Sequence, residues 1–241
     1  MTKRARQFWL RQIKKRRTHS HEYPHCHSPP GFAAYLADAG SCCAKPISIA
    51  MTNELGLIDL PRIRKAKTLR GKSLVFRDAA ESDAEFILSL RTDSVKSRHL
   101  SVTSADIESQ RAWLRCYATA EDQAYFIIEK EKGESLGTVR LYDPQDESFC
   151  WGSWILAANA PKTAAIESAL MVYAYAVDCL GFRSAHFDVR KGNQSVWQFH
   201  ERFGALRTHE VADEYKYKIS LSAIQKSRDR YARYLPNGIV W

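Results

Sequence analysis

The stretch that most constrains this chain runs from Phe149 to Val189. Ile166, Leu170, Tyr173, Val177 and Leu180 recur at steps of four, three, four and three. That spacing lays one apolar stripe along a helix of about five turns. Gly181 follows as a stop signal, because glycine accepts the left-handed conformation in which helices end. An aromatic-rich run, Phe149–Leu156, precedes the helix and an apolar run, Ala185–Val189, follows it. Strand, helix, strand in that order is a parallel crossover, expected to be right-handed.

The flanks decide what surrounds this unit. Upstream, Leu74–Phe76 is a short apolar strand. Asp78 and Ser82 offer caps for a helix through Phe86, Ile87 and Leu90. Thr103-Ser104-Ala105-Asp106 resembles a capping box and opens a second helix with Ile107, Leu114 and Tyr117 on helical spacing. Ala124–Glu129 and Gly137–Tyr142 read as strands, with a turn at Gly133 and a stop near Asp143-Pro144. Downstream, Asn193 can cap a helix carrying Val196, Phe199 and Phe203 that ends at Gly204. Leu206–Val211 and Tyr215–Leu221 form a last pair of strands, and a basic helical end covers Lys226–Arg233. The order is β-α-α-β-β-β-α-β-α-β-β. Three strands in a row after two helices exclude a regular doubly wound repeat. The predicted class is therefore α/β (α+β), a mixed, mostly antiparallel central sheet with one parallel βαβ crossover.

The net charge of +9 suggests a polyanion partner until it is located. Residues 1–50 hold nine Lys/Arg against Glu22 and Asp38, so the remainder is nearly neutral. Nucleic-acid attraction is thus confined to the tail. The tail also carries His19, His21, His25, Cys26 and His27, with no distant ligands to complete a metal site. Residues 1–71 are expected to be a basic, disordered extension, 72–222 the folded domain, and 223–241 a basic helical tail. The start itself stays open between Met1 and Met51. Cysteines 26, 42, 43, 116, 150 and 179 show neither paired zinc spacing nor a dense framework, which fits free thiols in a reducing compartment. No run reaches the roughly 18 apolar residues of a membrane span, and no apolar h-region follows the basic start. A cytoplasmic protein is expected.

Leu180-Gly181-Phe182-Arg183, Phe187-Asp188-Val189, Asn193 and Phe199-His200-Glu201-Arg202-Phe203-Gly204-Ala205 together carry a resemblance. In type and spacing they are similar to the GNAT superfamily of acyl-CoA-dependent N-acetyltransferases, over about Leu74 to Leu221. The branch resembled contains ribosomal-protein and amino-sugar N-acetyltransferases. The resemblance implies an enzyme that moves an acetyl group from acetyl-CoA to a primary amine of a small molecule such as an amino-sugar nucleotide. A protein N-terminal acetyltransferase, or a GNAT-like binding module without catalysis, is the alternative. In the family a glycine-containing loop at the start of the long helix holds the cofactor pyrophosphate. Glycines let the backbone approach, and the free N–H groups of a helix start favour an anion. The corresponding stretch here, Asn159–Ala165, has no glycine. Pro161 suits a first helical turn and Lys162 can meet a phosphate.

Cofactor contacts implied by the resemblance are backbone at Ile155 and Leu156, the loop residues Lys162, Thr163, Ala164 and Ala165, and Asn193, which is first of all a helix cap. His200 stands where the family often has a tyrosine that protonates the departing thiolate, and the competing reading is a packing residue on the last helix turn. Asp188, Glu129 and Ser153 are open as the general base. Arg91 and Arg98 either face an acidic substrate or lie on a solvated helix face. Trp151, Trp154 and Trp197 read as core aromatics rather than a stacking platform for nucleic acid. No metal site and no membrane partner are expected, and the oligomeric state is not legible.

Overall fold

The computed structural model describes residues 60–93 and 105–241. All of them belong to one compact unit, and the basic tail and the expectations attached to it lie outside the described residues.

Eight strands form one sheet: β1 (Thr68–Arg70), β2 (Leu74–Asp78), β3 (Ala124–Lys130), β4 (Ser135–Gln145), β5 (Ser148–Leu156), β6 (Ser184–Arg190), β7 (Leu206–Val211) and β8 (Glu214–Ser220). Their order is β1-β2-β3-β4-β5-β6-β8-β7, and only β5 and β6 run parallel. The mixed, mostly antiparallel sheet with one crossover is thus the fold that forms. Its physical origin is the chain order: tight turns join β3, β4 and β5, while β5 reaches β6 only through a helix.

Among the described residues five α-helices cover the sheet: α1 (Ala84–Thr92), α2 (Ile107–Thr119), α3 (Ala164–Ala174), α4 (Gln194–Arg202) and α5 (Leu221–Arg230). Helices α3, α4 and α5 bury one face, built from Phe76, Phe126, Val139, Leu141, Phe149, Trp151, Phe187, Tyr217 and Ile219. Helices α1 and α2 bury part of the other face, where Ile87, Leu114 and Tyr117 pack on Tyr125 and Ile127. This is the alternation of strand side chains made visible: Phe126 faces α3 while Tyr125 and Ile127 face α2.

Several local expectations shift. The stripe along α3 understates its burial. Every residue from Glu167 to Ala176 is buried, so the helix runs through the core rather than along its surface. Its last turn, Tyr175–Cys179, widens to π geometry, with Leu180 N–H donating to Tyr175 O at 3.1 Å. Gly181 then takes φ 84°, the left-handed stop. Helix α2 is capped by Asp106, whose carboxylate accepts from Glu108 N at 3.2 Å and Ser109 N at 3.1 Å. Thr103 and Ser104 of the expected capping box lie outside the described residues. Asn193 occupies the cap position of α4, but its side chain makes no capping bond.

The folded unit also begins before 72 and continues past 222. Ile63 and Leu69 are core residues, and β1 pairs with β2. Strand β8 stops at Ser220, whose hydroxyl accepts from Ala223 N at 3.3 Å and opens α5 earlier than expected. Ile224 anchors α5 in the core, and Ser227 donates to Phe203 O at 2.6 Å. A helix with a buried face is part of the domain and not a tail.

Candidate active site

The site grows from the parallel pair. Strands β5 and β6 pair at three positions only, Ser148–Ser184, Phe149–Ala185 and Cys150–His186. Beyond them β6 stays with β8, but β5 leaves. A bulge accompanies the separation. Opposite Thr138 and Arg140 of β4, the register of β5 jumps from Ile155 to Gly152. Ser153 within the bulge has φ 46°, a conformation that costs a non-glycine residue energy and recurs at functional sites. Thr138 holds it by donating its hydroxyl to Ser153 O at 2.8 Å.

The bulge has a second effect. Trp151 and Trp154, three apart, would face opposite ways in a regular strand. Here both turn toward α3. Trp151 Nε1 donates to Tyr173 OH at 3.3 Å and Trp154 Nε1 to Ser168 Oγ at 3.1 Å. Trp151 therefore belongs to the core cluster, and half-buried Trp154 and Trp197 pack against it.

His200, on α4, lies in the split. Its ring centroid is 4.2 Å from Phe187 on β6 and 5.1 Å from Trp151 on β5. It is 5% exposed, and its Nδ1 has no hydrogen-bond partner among the described residues. Burial pulls its pKa down to about 3. The imidazole is therefore neutral at physiological pH. An imidazolium acid working near neutrality, the expectation from the unperturbed value, does not fit this environment. A neutral ring keeps one N–H to donate and one nitrogen to accept. An unpaired buried polar atom costs about 1–3 kcal/mol. A ligand entering the split would relieve that cost.

The opposite face of the split is polar. Arg140, Tyr142, Cys150, Gly152, His186 and Asp188 share it by strand register. Arg140 stacks over Tyr142 at 4.8 Å and Trp113 at 5.2 Å. Burial holds the Tyr142 hydroxyl well above its ordinary pKa, and burial followed by the charge of Asp188 pushes the Cys150 thiol up to about 12. Neither ionises at physiological pH. Asp188 is half-exposed and accepts from Lys216 Nζ at 2.5 Å. Burial pulls the Lys216 ammonium down, but the carboxylates of Asp188 and Glu214 outweigh it and keep its pKa raised. His186 links Ser148 Oγ at 2.8 Å and Asp143 Oδ2 at 3.3 Å, which ties the β4–β5 turn to β6.

Of the three candidate bases, only Asp188 stands at the mouth of the split with an accessible carboxylate. Glu129 is buried and accepts from Arg77 Nε at 3.0 Å, in a network with Asp83. Ser153 serves the bulge.

The loop residues border the start of α3. Lys162 and Thr163 are exposed directly before α3, while Ala164 is buried and Ala165 half-buried. Ile155 and Leu156 close β5 opposite Thr138 and Gly137. A Cβ on Gly137 would lie 2.2 Å from Ile155 O, so only glycine permits this approach. The Asn193 side chain accepts only a 3.4 Å bond from Ser195 Oγ. Arg91 is 9% exposed at the end of α1, so the solvated-face reading fails for it. Arg98 lies outside the described residues.

Sequence reasoning missed the bulge, the polar lattice of β4, β5, β6 and β8, and the buried carboxylate of Glu167. That carboxylate was the traceable one: it is the lone charged residue in the mostly apolar run Ala164–Ala176. No helix is long and apolar enough to cross a membrane among the described residues.

Comparison with known proteins follows the same architecture. Residues 73–206 match the model of the acetyltransferase (GNAT) domain. A solved structure described as apo FdhC, a nucleotide-linked sugar GNAT, is 38% identical; the match covers 70% of this chain and 98% of that one, with TM-score 0.63. A spermidine N-acetyltransferase SpeG variant from Vibrio cholerae is 15% identical, covering 64% and 96%, with TM-score 0.56, a likeness of fold. No curated protein matches the chain. The chain belongs to the GNAT acetyltransferase family and is an acyl-CoA-dependent N-acetyltransferase.

Proposed function

We propose that the enzyme acetylates the primary amine of a nucleotide-linked amino sugar, with acetyl-CoA as donor. The observation that carries this reading is the 38% identity to a nucleotide-linked sugar GNAT over nearly that chain's whole length. Acetyl-CoA is a cytoplasmic metabolite, and we place the reaction there.

When bound, acetyl-CoA supplies an acetyl group activated as a thioester. The N-terminus of α3, with Lys162, Thr163, Ala164 and Ala165, faces the cofactor diphosphate with backbone N–H groups and one ammonium. The backbone at Ile155 and Leu156 lines the pantetheine arm, and Asn193 borders it from α4. His200 donates a hydrogen bond from its neutral ring where negative charge develops, a contribution that matters most in a dry site. Asp188, on the polar face, attracts the acceptor ammonium and takes its proton. Lys216 holds the Asp188 carboxylate in place through their ion pair. Arg91 supplies positive charge for the acceptor's phosphates, and the sequence alone offers Arg98 for the same part.

The test is a panel of amines assayed for thiol release from acetyl-CoA: nucleotide-linked amino sugars, spermidine and ribosomal-type N-terminal peptides. The expected result is turnover confined to the sugar nucleotides. Preference for a peptide would move the enzyme to the protein N-terminal class, and preference for spermidine to polyamine chemistry.

A further inference from the structure

Strand β7 closes the sheet at one edge, and all six of its residues, Leu206 to Val211, are exposed. Leu206 is 73% exposed and Val211 52% exposed, which is unusual for apolar side chains on a strand. The strand is bulged. Arg207 opposes Tyr217 of β8, but the next pair is His209 with Lys216, so Thr208 is extra. This extra residue changes which side chains share a face. Leu206, His209 and Val211 lie with Lys218, Lys216 and Glu214 on one face; Arg207 and Glu210 lie with Tyr217 and Tyr215 on the other.

We propose that β7 is a self-complementary edge and that two copies of this chain pair through it, antiparallel, about a two-fold axis at Thr208 and His209. In that register Leu206 meets Val211 of the second copy, and Arg207 meets its Glu210, twice each by symmetry. Opposite residues of an antiparallel pair must point to the same face. In an unbulged strand Leu206 and Val211 would point to opposite faces and this register would fail. The bulge at Thr208 makes it possible. Arg207 already bonds Glu201 at 3.0 Å and Glu210 bonds Lys191 at 3.0 Å, so both charges are held in place. Their side chains keep 39% and 60% exposure for a further partner. Charges and bulges also protect solitary edges, and a monomer is the outcome that reading predicts. The two-fold match of charge with charge and apolar with apolar favours the second copy. An edge of six residues is a small interface, so the association is of the weak, micromolar class.

Sedimentation velocity on the full chain tests this. The wild type is expected to dimerise at micromolar concentration. Arg207→Glu and Glu210→Arg should each weaken dimerisation by at least about tenfold, since like charges then face each other at both ends. An equimolar mixture of the two variants restores opposite charges at both ends, and a heterodimer of wild-type strength should return. Leu206→Asp, which touches no core, should also give a monomer if either charge variant fails to fold. A wild type that stays monomeric, a dimer that survives the reversals and Leu206→Asp, or a mixture that stays monomeric overturns the proposal. None of these variants lies in the acetyl-transfer site, so turnover reports on that reading separately.

Discussion

Glu167, in the buried helix α3, accepts from Ser73 at both N–H and hydroxyl, at 2.6 and 2.5 Å, and from Leu74 N–H at 2.9 Å. The carboxylate thereby satisfies two backbone donors at the β1–β2 turn and fastens that turn to the core. Gly71 leaves room for it, since a Cβ there would lie 2.9 Å from Glu167 Oε1.

Glu167→Ala removes these acceptors and strands buried N–H groups. A loss of about 2–4 kcal/mol is expected, from unmet hydrogen bonds plus a small cavity. Glu167→Gln keeps an acceptor oxygen and should lose less. Urea titration of the three proteins checks the order.

His200 makes stability depend on pH. Its folded pKa of about 3 lies below its ordinary 6.5. As pH falls through 6.5 the unfolded chain takes a proton that the folded chain refuses, so stability falls between 6.5 and 3. The full loss approaches about 5 kcal/mol at the acid end. His200→Phe should flatten that part of the melting-temperature profile. Thermal melts from pH 7 down to pH 4 on both proteins decide it.

The same residue has a kinetic consequence. His200→Ala should lower kcat by about 10²–10³-fold, as for loss of a preorganised donor. His200→Tyr should restore much of the rate through its hydroxyl. Donor affinity should change little, because the bond is strongest in the transition state. An Ala variant that is unstable but fully active per folded molecule assigns His200 to packing alone.

Asp188→Asn keeps the shape of the group at the mouth of the split and removes its charge. We expect kcat to fall by about 10²–10⁴-fold, the loss of a positioned base. Unchanged turnover would leave the proton to water.

Thr163→Asp places a carboxylate at the exposed start of α3. Acetyl-CoA binding, measured by calorimetry, should weaken by about tenfold or more through repulsion of the diphosphate. Equal affinities would move the anion site elsewhere.

How much of this was legible follows from range. The Ile166–Leu180 stripe, Gly181 and the three-strand run are local patterns, and they sufficed for the sheet with its single parallel pair. His200 was reachable through the Phe199–Ala205 motif, but its neutrality was not, because Trp151, Trp154 and Phe187 close over it from other strands. The bulge at Ser153 left no signature, since serine is an ordinary strand-end residue and the strain depends on β4. The polar lattice around Asp188 stayed hidden for the same reason. Its members come from four strands, and only register brings them together.

The parallel seam of β5 and β6 is three residue pairs long. Mechanically the sheet is two half-sheets, β1–β5 and β6–β8, basted together at one end. A pantetheine arm lying in the open length, bonded to the backbone of β5, would act as the missing stitch. Occupancy then becomes a structural event. Amide exchange in β6 and β8 should slow when the donor binds, far beyond the residues it touches, and the empty enzyme should open first along that seam.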